Sequence, residues 1–288
     1  MDWPIFVFFY LVLGTTHQLL RRVLGQRLAQ YNAVINLFFF LFVHYPLGLL
    51  LAFTIGFDLN IGLANIIIIV LMSCFFPIYN LLEFKASEHI EAGFFAIISN
   101  VKPVVAIVFG YLILSERMSF KEIAGATLII IAAFLYSSFT YKGASQHSKS
   151  GLMIAFSAIL ISGSLGVYEV WILQRVGFGE YLVLGWGMQT FWMVIISWPQ
   201  IHNLKKLFNK ENGFPVLALS LANSLKGFSF LTALYLSNNV SKVSAYVSFL
   251  PIFVVIAGYF ILREKNNIKL RIFCSALGCL GLLQLALG

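Results

Sequence analysis

Charged side chains are scarce in this chain. They make up 10% of its 288 residues, whereas 60% are hydrophobic. A soluble domain carries about 25% charged residues and cannot hide this much apolar surface. Aspartate is scarcer still. Asp2 and Asp58 are the two present, and neither lies deep in an apolar run. That excludes an intramembrane aspartyl dyad. Cysteine occurs at Cys74, Cys274 and Cys279, an odd number without metal spacing, which argues against a disulfide framework or a zinc site. The sequence has no Gly-x-Ser-x-Gly, no His-Glu-x-x-His and no Gly-x-x-x-x-Gly-Lys-Ser/Thr. Hydrolase, zinc-protease and ATP-driven pump readings therefore lack their motifs. No cofactor and no metal are expected.

What the chain does contain is apolar sequence in runs of about 20 residues, the length that crosses a bilayer. Ten spans are expected, near Trp3–Leu20, Ala33–Phe53, Ile61–Phe84, Ala92–Leu114, Ile123–Phe139, Leu152–Leu173, Tyr181–Pro199, Phe214–Leu236, Val243–Leu262 and Ile272–Leu287. The first run lacks a basic n-region and a small-residue cleavage site, so it reads as a span and not as a cleaved signal.

One stretch occurs twice. Pro103, Gly110, Tyr111, Leu114 and Glu116 recur 148 positions later as Pro251, Gly258, Tyr259, Leu262 and Glu264. A weaker match sets Leu13-Gly14 against Leu165-Gly166, which places His17 opposite Glu169. Tyr31 similarly matches Tyr181. The polar stretch 142–151 reads as a linker between a first five-helix repeat, 1–141, and a second, 152–288. Five spans is an odd number, so the second repeat enters from the opposite side. The expected fold is an all-α membrane protein of ten transmembrane helices in two inverted five-helix repeats. Duplicated, proline-interrupted spans point to a transporter with its site at the repeat interface.

Net charge is +8. The basic residues sit mostly in short loops, which indicates topology and lipid headgroups and not nucleic acid. Loops one, three, five, seven and nine hold 13 Lys and Arg, and the other face holds 4. Taken alone, that bias puts both termini outside the cytoplasm. A compact chain with short loops suits a bacterial inner membrane.

The span count, the duplication and the run from Pro103 to Glu116, followed by Arg117 and Gly125, resemble the drug/metabolite transporter superfamily in its EamA-type ten-helix branch. The second copy keeps Pro251, Glu264 and Lys265 but has Phe273 opposite Gly125. Leu13-Gly14 stands where the family usually has Trp-Gly. The resemblance implies alternating access and a central cavity lined by helices other than the fifth and tenth. It also implies both termini in the cytoplasm, opposite to the charge count.

Ionisable groups at mid-membrane cost about 2.5–3.5 kcal/mol on insertion scales, so each needs a reason. Lys102, Lys226 and Glu169 meet that description. Each lysine reads either as a contact for a substrate carboxylate or phosphate, or as half of a structural ion pair. Glu169 is the natural partner for either lysine. Asn100, Asn223, Asn36 and Gln189 are the further candidates for substrate hydrogen bonds, with interhelical contacts as the alternative. Glu169 and His17 are the candidate proton carriers, His17 reading first as a satisfied core histidine. Pro103, Gly110, Pro251 and Gly258 read as flexure and close-packing positions, and Glu116 and Glu264 as helix-end residues. Trp171, Trp186 and Trp192 read first as lipid-facing or interfacial. The group Glu83, Lys85, Glu88, His89 and Glu91 reads first as a solvated loop and second as a gate.

The function expected is secondary transport of a small polar metabolite, an amino acid or similar carboxylate. A phosphate-bearing metabolite, such as a sugar phosphate or nucleotide sugar, is the runner-up. A non-transporting scaffold or sensor comes behind both. The expected partners are a small-molecule substrate, the lipid bilayer and, for a coupled cycle, protons or another ion. The oligomeric state is open between monomer and homodimer.

Overall fold

The computed structural model describes residues 3–102, 104–106, 108–109, 119–143, 149–207, 211–237, 243, 246–247, 249–264 and 268–286. Pro103, Gly110 and Glu116 lie outside the described residues, as do Arg117 and Lys265.

Ten helices and no strand occur among the described residues. In chain order they are α1 (Trp3–Arg27), α2 (Ala29–Ile55), α3 (Leu63–His89), α4 (beginning Ala92–Ser99), α5 (Phe120–Gly143), α6 (Lys149–Val176), α7 (Phe178–Leu207), α8 (Gly213–Ser237), α9 (Leu250–Ile261) and α10 (Ile268–Ala286). Six of them, α1, α2, α3, α6, α7 and α8, contain stretches long and apolar enough to cross a membrane. The helices overrun the apolar runs at several ends. α1 continues to Arg27, and α3 continues to His89. Helical backbone continues there because hydrogen bonding, and not hydropathy alone, decides where a helix stops.

The packing follows a twofold rule. α1 lies along α8, and α6 lies along α3. α2 packs on α7, α4 on α9, and α5 on α10. Adding five to each helix number, modulo ten, maps this set of pairs onto itself. With five crossings in each half, the axis relating the halves lies in the membrane plane. Gly281 of α10 shows how closely the fifth pair packs. A Cβ placed there would meet the Gly125 carbonyl oxygen at 2.7 Å.

Two helices break where the duplicated motif puts its prolines. In α4 a turn at Asn100–Val101, held by i to i−3 bonds, separates Ala92–Ser99 from the helical residues that follow. In the second half Phe249 forms the matching turn, and Pro251 sits in the first turn of α9. A proline at the start of a helix costs no hydrogen bond. Pro251 thus opens a helix segment and does not interrupt one. α2 carries a different irregularity, a π-helical turn over Phe39–His44, which packs against α8.

Large apolar side chains face outward all round the bundle, among them Phe53, Phe134, Phe214 and Phe260. A lipid solvent explains that surface, since a helix satisfies most of its backbone groups within its own segment. The ends of α1, α3, α5, α7 and α9 share one side with the start of α6, here termed the linker face.

Candidate functional site

Four helices bring ionisable groups together inside the bundle, towards the linker face. On α1, His17 and Arg21 are one helical turn apart and so share a side. Tyr79 and Glu83 do the same on α3. Lys102 follows the break in α4, and Asn223 and Lys226 come from the middle of α8.

Glu83 is the hub. It pairs with Arg21 through one oxygen and with the Lys102 Nζ at 3.0 Å through the other. Lys102 also donates to the Tyr79 hydroxyl at 3.1 Å. Arg21 donates to Gln18 Oε1 at 2.6 Å and lies over the Phe95 ring, 4.7 Å from its centroid. Arg21 and Glu83 are each only 2% exposed, so this pair has left water. Lys226 makes no salt bridge among the described residues. Its Nζ lies 3.5 Å from His17 Nδ1. Gly14 lets Leu250 approach α1, because a Cβ there would meet the leucine side chain at 3.0 Å. Asn223 Nδ2 reaches Asn80 Oδ1 at 3.5 Å. A cavity of about 10 Å³ opens between these groups, lined by His17, Arg21, Asn36, Asn80, Ser220 and Asn223. That is room for about one water. The cluster thus holds three basic side chains, Arg21, Lys102 and Lys226, around one carboxylate.

A second ion cluster closes the linker face. Arg271 pairs with Glu91 and, at 3.1 Å, with Glu264. Glu264 also accepts the backbone N–H groups of Ala92 and Gly93 at 3.0 and 3.3 Å, which caps the start of α4 from the end of α9. Negative charge is favourable at that helix end. Gly258 fits this arrangement as a close-approach position, since a Cβ there would meet the Glu264 carboxylate at 3.2 Å.

Away from the linker face, a polar chain runs from Gln189 to the Tyr181 hydroxyl at 3.5 Å and on to Glu169 at 3.2 Å. Beside it His44, at the end of the π-helical turn, stacks on Trp186 with ring centroids 3.7 Å apart.

Several expectations need correction. Glu169 partners neither lysine; the carboxylate for Lys102 is Glu83, from the group read as a solvated loop. Glu83 is buried because α3 stays helical to His89 and carries it inside, whereas Glu91 is buried just before α4, against Arg271. Asn100 does not join Lys102. Residues two apart point to opposite sides of a helix, and Asn100 faces α10, where Gly278 accommodates it. Trp186 is buried against His44 and not interfacial. Trp192 bonds the Val70 carbonyl at 2.8 Å, and Trp171 lies under Arg175 at 3.7 Å. Asn36 lines the small cavity while donating to the Asn32 carbonyl at 2.9 Å. The sequence reading missed Arg21, Tyr79, Asn80 and His44. Ending α1 at Leu20 put Arg21 in a loop, although its one-turn spacing from His17 already marked a shared polar side.

The EamA-like transporter family model matches residues 5–138 and again 149–287. The chain belongs to the EamA-like transporter family. A comparison with curated proteins finds no significant match. As an EamA-like chain it is a membrane transporter of the drug/metabolite superfamily, whose members are transporters and not enzymes. The two matched regions are the two halves related by the packing rule above, and the ionisable cluster lies between helices of both, α1, α3 and α4 of the first and α8 of the second.

Proposed function

We propose that this transporter carries a small anionic metabolite, an amino acid or similar carboxylate, by alternating access between the half 1–141 and the half 152–288, joined by 142–151. The observation that supports the reading is the imbalance at the central cluster. Three basic groups surround one carboxylate, and Lys226, 3.5 Å from the cavity-lining His17, makes no salt bridge among the described residues. An uncompensated buried charge is costly, and a substrate anion offsets that cost with a charge-assisted hydrogen bond. In this reading Lys226 is the anchor, with His17, Asn36, Asn80 and Asn223 around the substrate. Glu83 holds Arg21 and Lys102 together as the barrier on the linker side. Glu169, in its separate chain with Tyr181 and Gln189, is the proton station of a coupled cycle.

Uptake into proteoliposomes tests it. Amino acids and simple carboxylates are expected to compete for transport, with sugar phosphates and nucleotide sugars as the contrasting set. Lys226→Gln is expected to raise KM about tenfold, the worth of one charge-assisted contact. Lys226→Arg restores part of the affinity, and thermal stability stays near that of the parent. Competition by cationic or neutral solutes alone sinks the anion reading. A Glu169→Gln variant with unchanged pH dependence removes the proton role.

A further inference from the structure

A second cavity, of about 280 Å³, lies at the linker face outside the central cluster. Arg22 and Val23 of α1 form one wall, Leu262 and Arg263 past the end of α9 form another, and Glu91 and Glu264 form its floor.

Its depth fits the headgroup layer. A 25-residue helix such as α1 spans about 37 Å, more than the roughly 30 Å hydrocarbon core. The last turns of α1 therefore emerge among headgroups. Val23 of its lining is 42% exposed, and Ile261 and Phe260, the two residues before Leu262, are 67% and 73% exposed.

Its charge fits a phosphate. Both carboxylates on the floor are already bound to Arg271. Arg22 and Arg263 form no salt bridge among the described residues, and so stand in excess. Arg22 is held in place by a 2.6 Å bond to the Ser87 carbonyl.

The backbone adds an independent observation. Arg263 is the one non-glycine residue with positive φ among those described, at 57°. Helix ends in this conformation favour glycine. The chain bonds that hold it there run from the Leu262 and Glu264 N–H groups to the Gly258 carbonyl, at 3.0 and 3.1 Å. An arginine kept where glycine is easier places a guanidinium at the cavity mouth.

We infer that this cavity binds the phosphate of a membrane phospholipid headgroup, with Arg22 and Arg263 as its ligands and the acyl chains along Val23 and Phe260. This inference does not depend on the transported substrate.

The test uses the purified full chain in detergent. Short-chain dioctanoyl phosphatidylglycerol, inorganic phosphate and dioctanoylglycerol are compared by native mass spectrometry and thermal stabilisation. Phosphatidylglycerol is expected to bind and stabilise, and the two other probes much less. Arg263→Gly removes the guanidinium while suiting the backbone, so the fold is retained; it should weaken phosphatidylglycerol binding about tenfold. Arg22→Gln should act in the same direction. Inorganic phosphate binding as tightly as the lipid overturns the lipid source. Equal binding of dioctanoylglycerol, or undiminished binding to Arg263→Gly, overturns the phosphate assignment.

Discussion

The two faces of the bundle are built from matching helices yet closed differently. At the linker face α1 packs on α3, and a Cβ at Gly25 would lie 2.7 Å from Ser87 Oγ. The clusters around Glu83 and around Arg271 sit on this side. The counterparts of α1 and α3 in the second half are α6 and α8, and these barely meet. A Cβ at Gly166 of α6 or Gly227 of α8 would meet nothing within 4 Å. In place of a multi-residue ion cluster, Glu169 there has one hydroxyl partner. Under the alternating access proposed above, two halves in unlike arrangements correspond to a state sealed on the linker side.

The largest expected effect tests whether the ion clusters do the sealing. Glu83→Ala leaves Arg21 and Lys102 buried without their carboxylate. Breaking a buried pair from one side costs about 3–5 kcal/mol. Unfolding in detergent should show a loss of that size. Glu169→Gln should cost no more than about 1 kcal/mol, the worth of one hydrogen bond. Equal losses at the two positions would show that the faces are not held differently.

Cross-linking sharpens the same contrast. In a background with Cys74, Cys274 and Cys279 replaced by serine, Gly25→Cys with Ser87→Cys is expected to form a disulfide on mild oxidation, because the β-carbons lie within disulfide reach. Gly166→Cys with Gly227→Cys is expected to stay reduced. The oxidised first pair should lower transport at least tenfold, reversibly on reduction. Ready oxidation of the second pair would mean that the opposite face closes as tightly.

Much of this architecture is visible in the residues. The apolar runs give the helices, because a lipid solvent forces each backbone group to be satisfied within its own segment. The copy of Pro103 to Glu116 at Pro251 to Glu264 gives the twofold, although Glu264, expected to organise the end of its own helix, caps the start of α4. The cluster was only half legible. Lys102 and Lys226 stand out as lone charges in apolar runs. Their surroundings do not, because Arg21 and Glu83 sit near helix ends, where hydropathy cannot tell a buried charge from a solvated one. Partner choice is equally hidden. The repeat sets His17 opposite Glu169, yet His17 meets Lys226 while Glu169 meets Tyr181, because side-chain reach and helix rotation decide contacts across the interface. The charge count for orientation weakens for the same reason. Two of its 13 residues, Arg21 and Arg271, are buried in ion pairs and report no topology.

The smallest expected effect compares two arginines on one helix. Arg21 and Arg27 both meet a glutamate, Arg27 pairing with Glu211 at 2.9 Å. The side chains of that second pair are 49% and 78% exposed, against 2% and 3% for Arg21 and Glu83. Water screens the outer pair, so Arg27→Ala should change stability by less than about 0.5 kcal/mol, as exposed pairs usually do. The two pairs are chemically alike, and the arginines stand six positions apart on one helix. A ratio near tenfold between Glu83→Ala and Arg27→Ala would therefore measure what burial adds to a guanidinium–carboxylate contact on this face. Should Arg27→Ala cost as much as the inner substitution, the end of α1 would have to be covered in solution, and the seal at the linker face would extend out to Glu211.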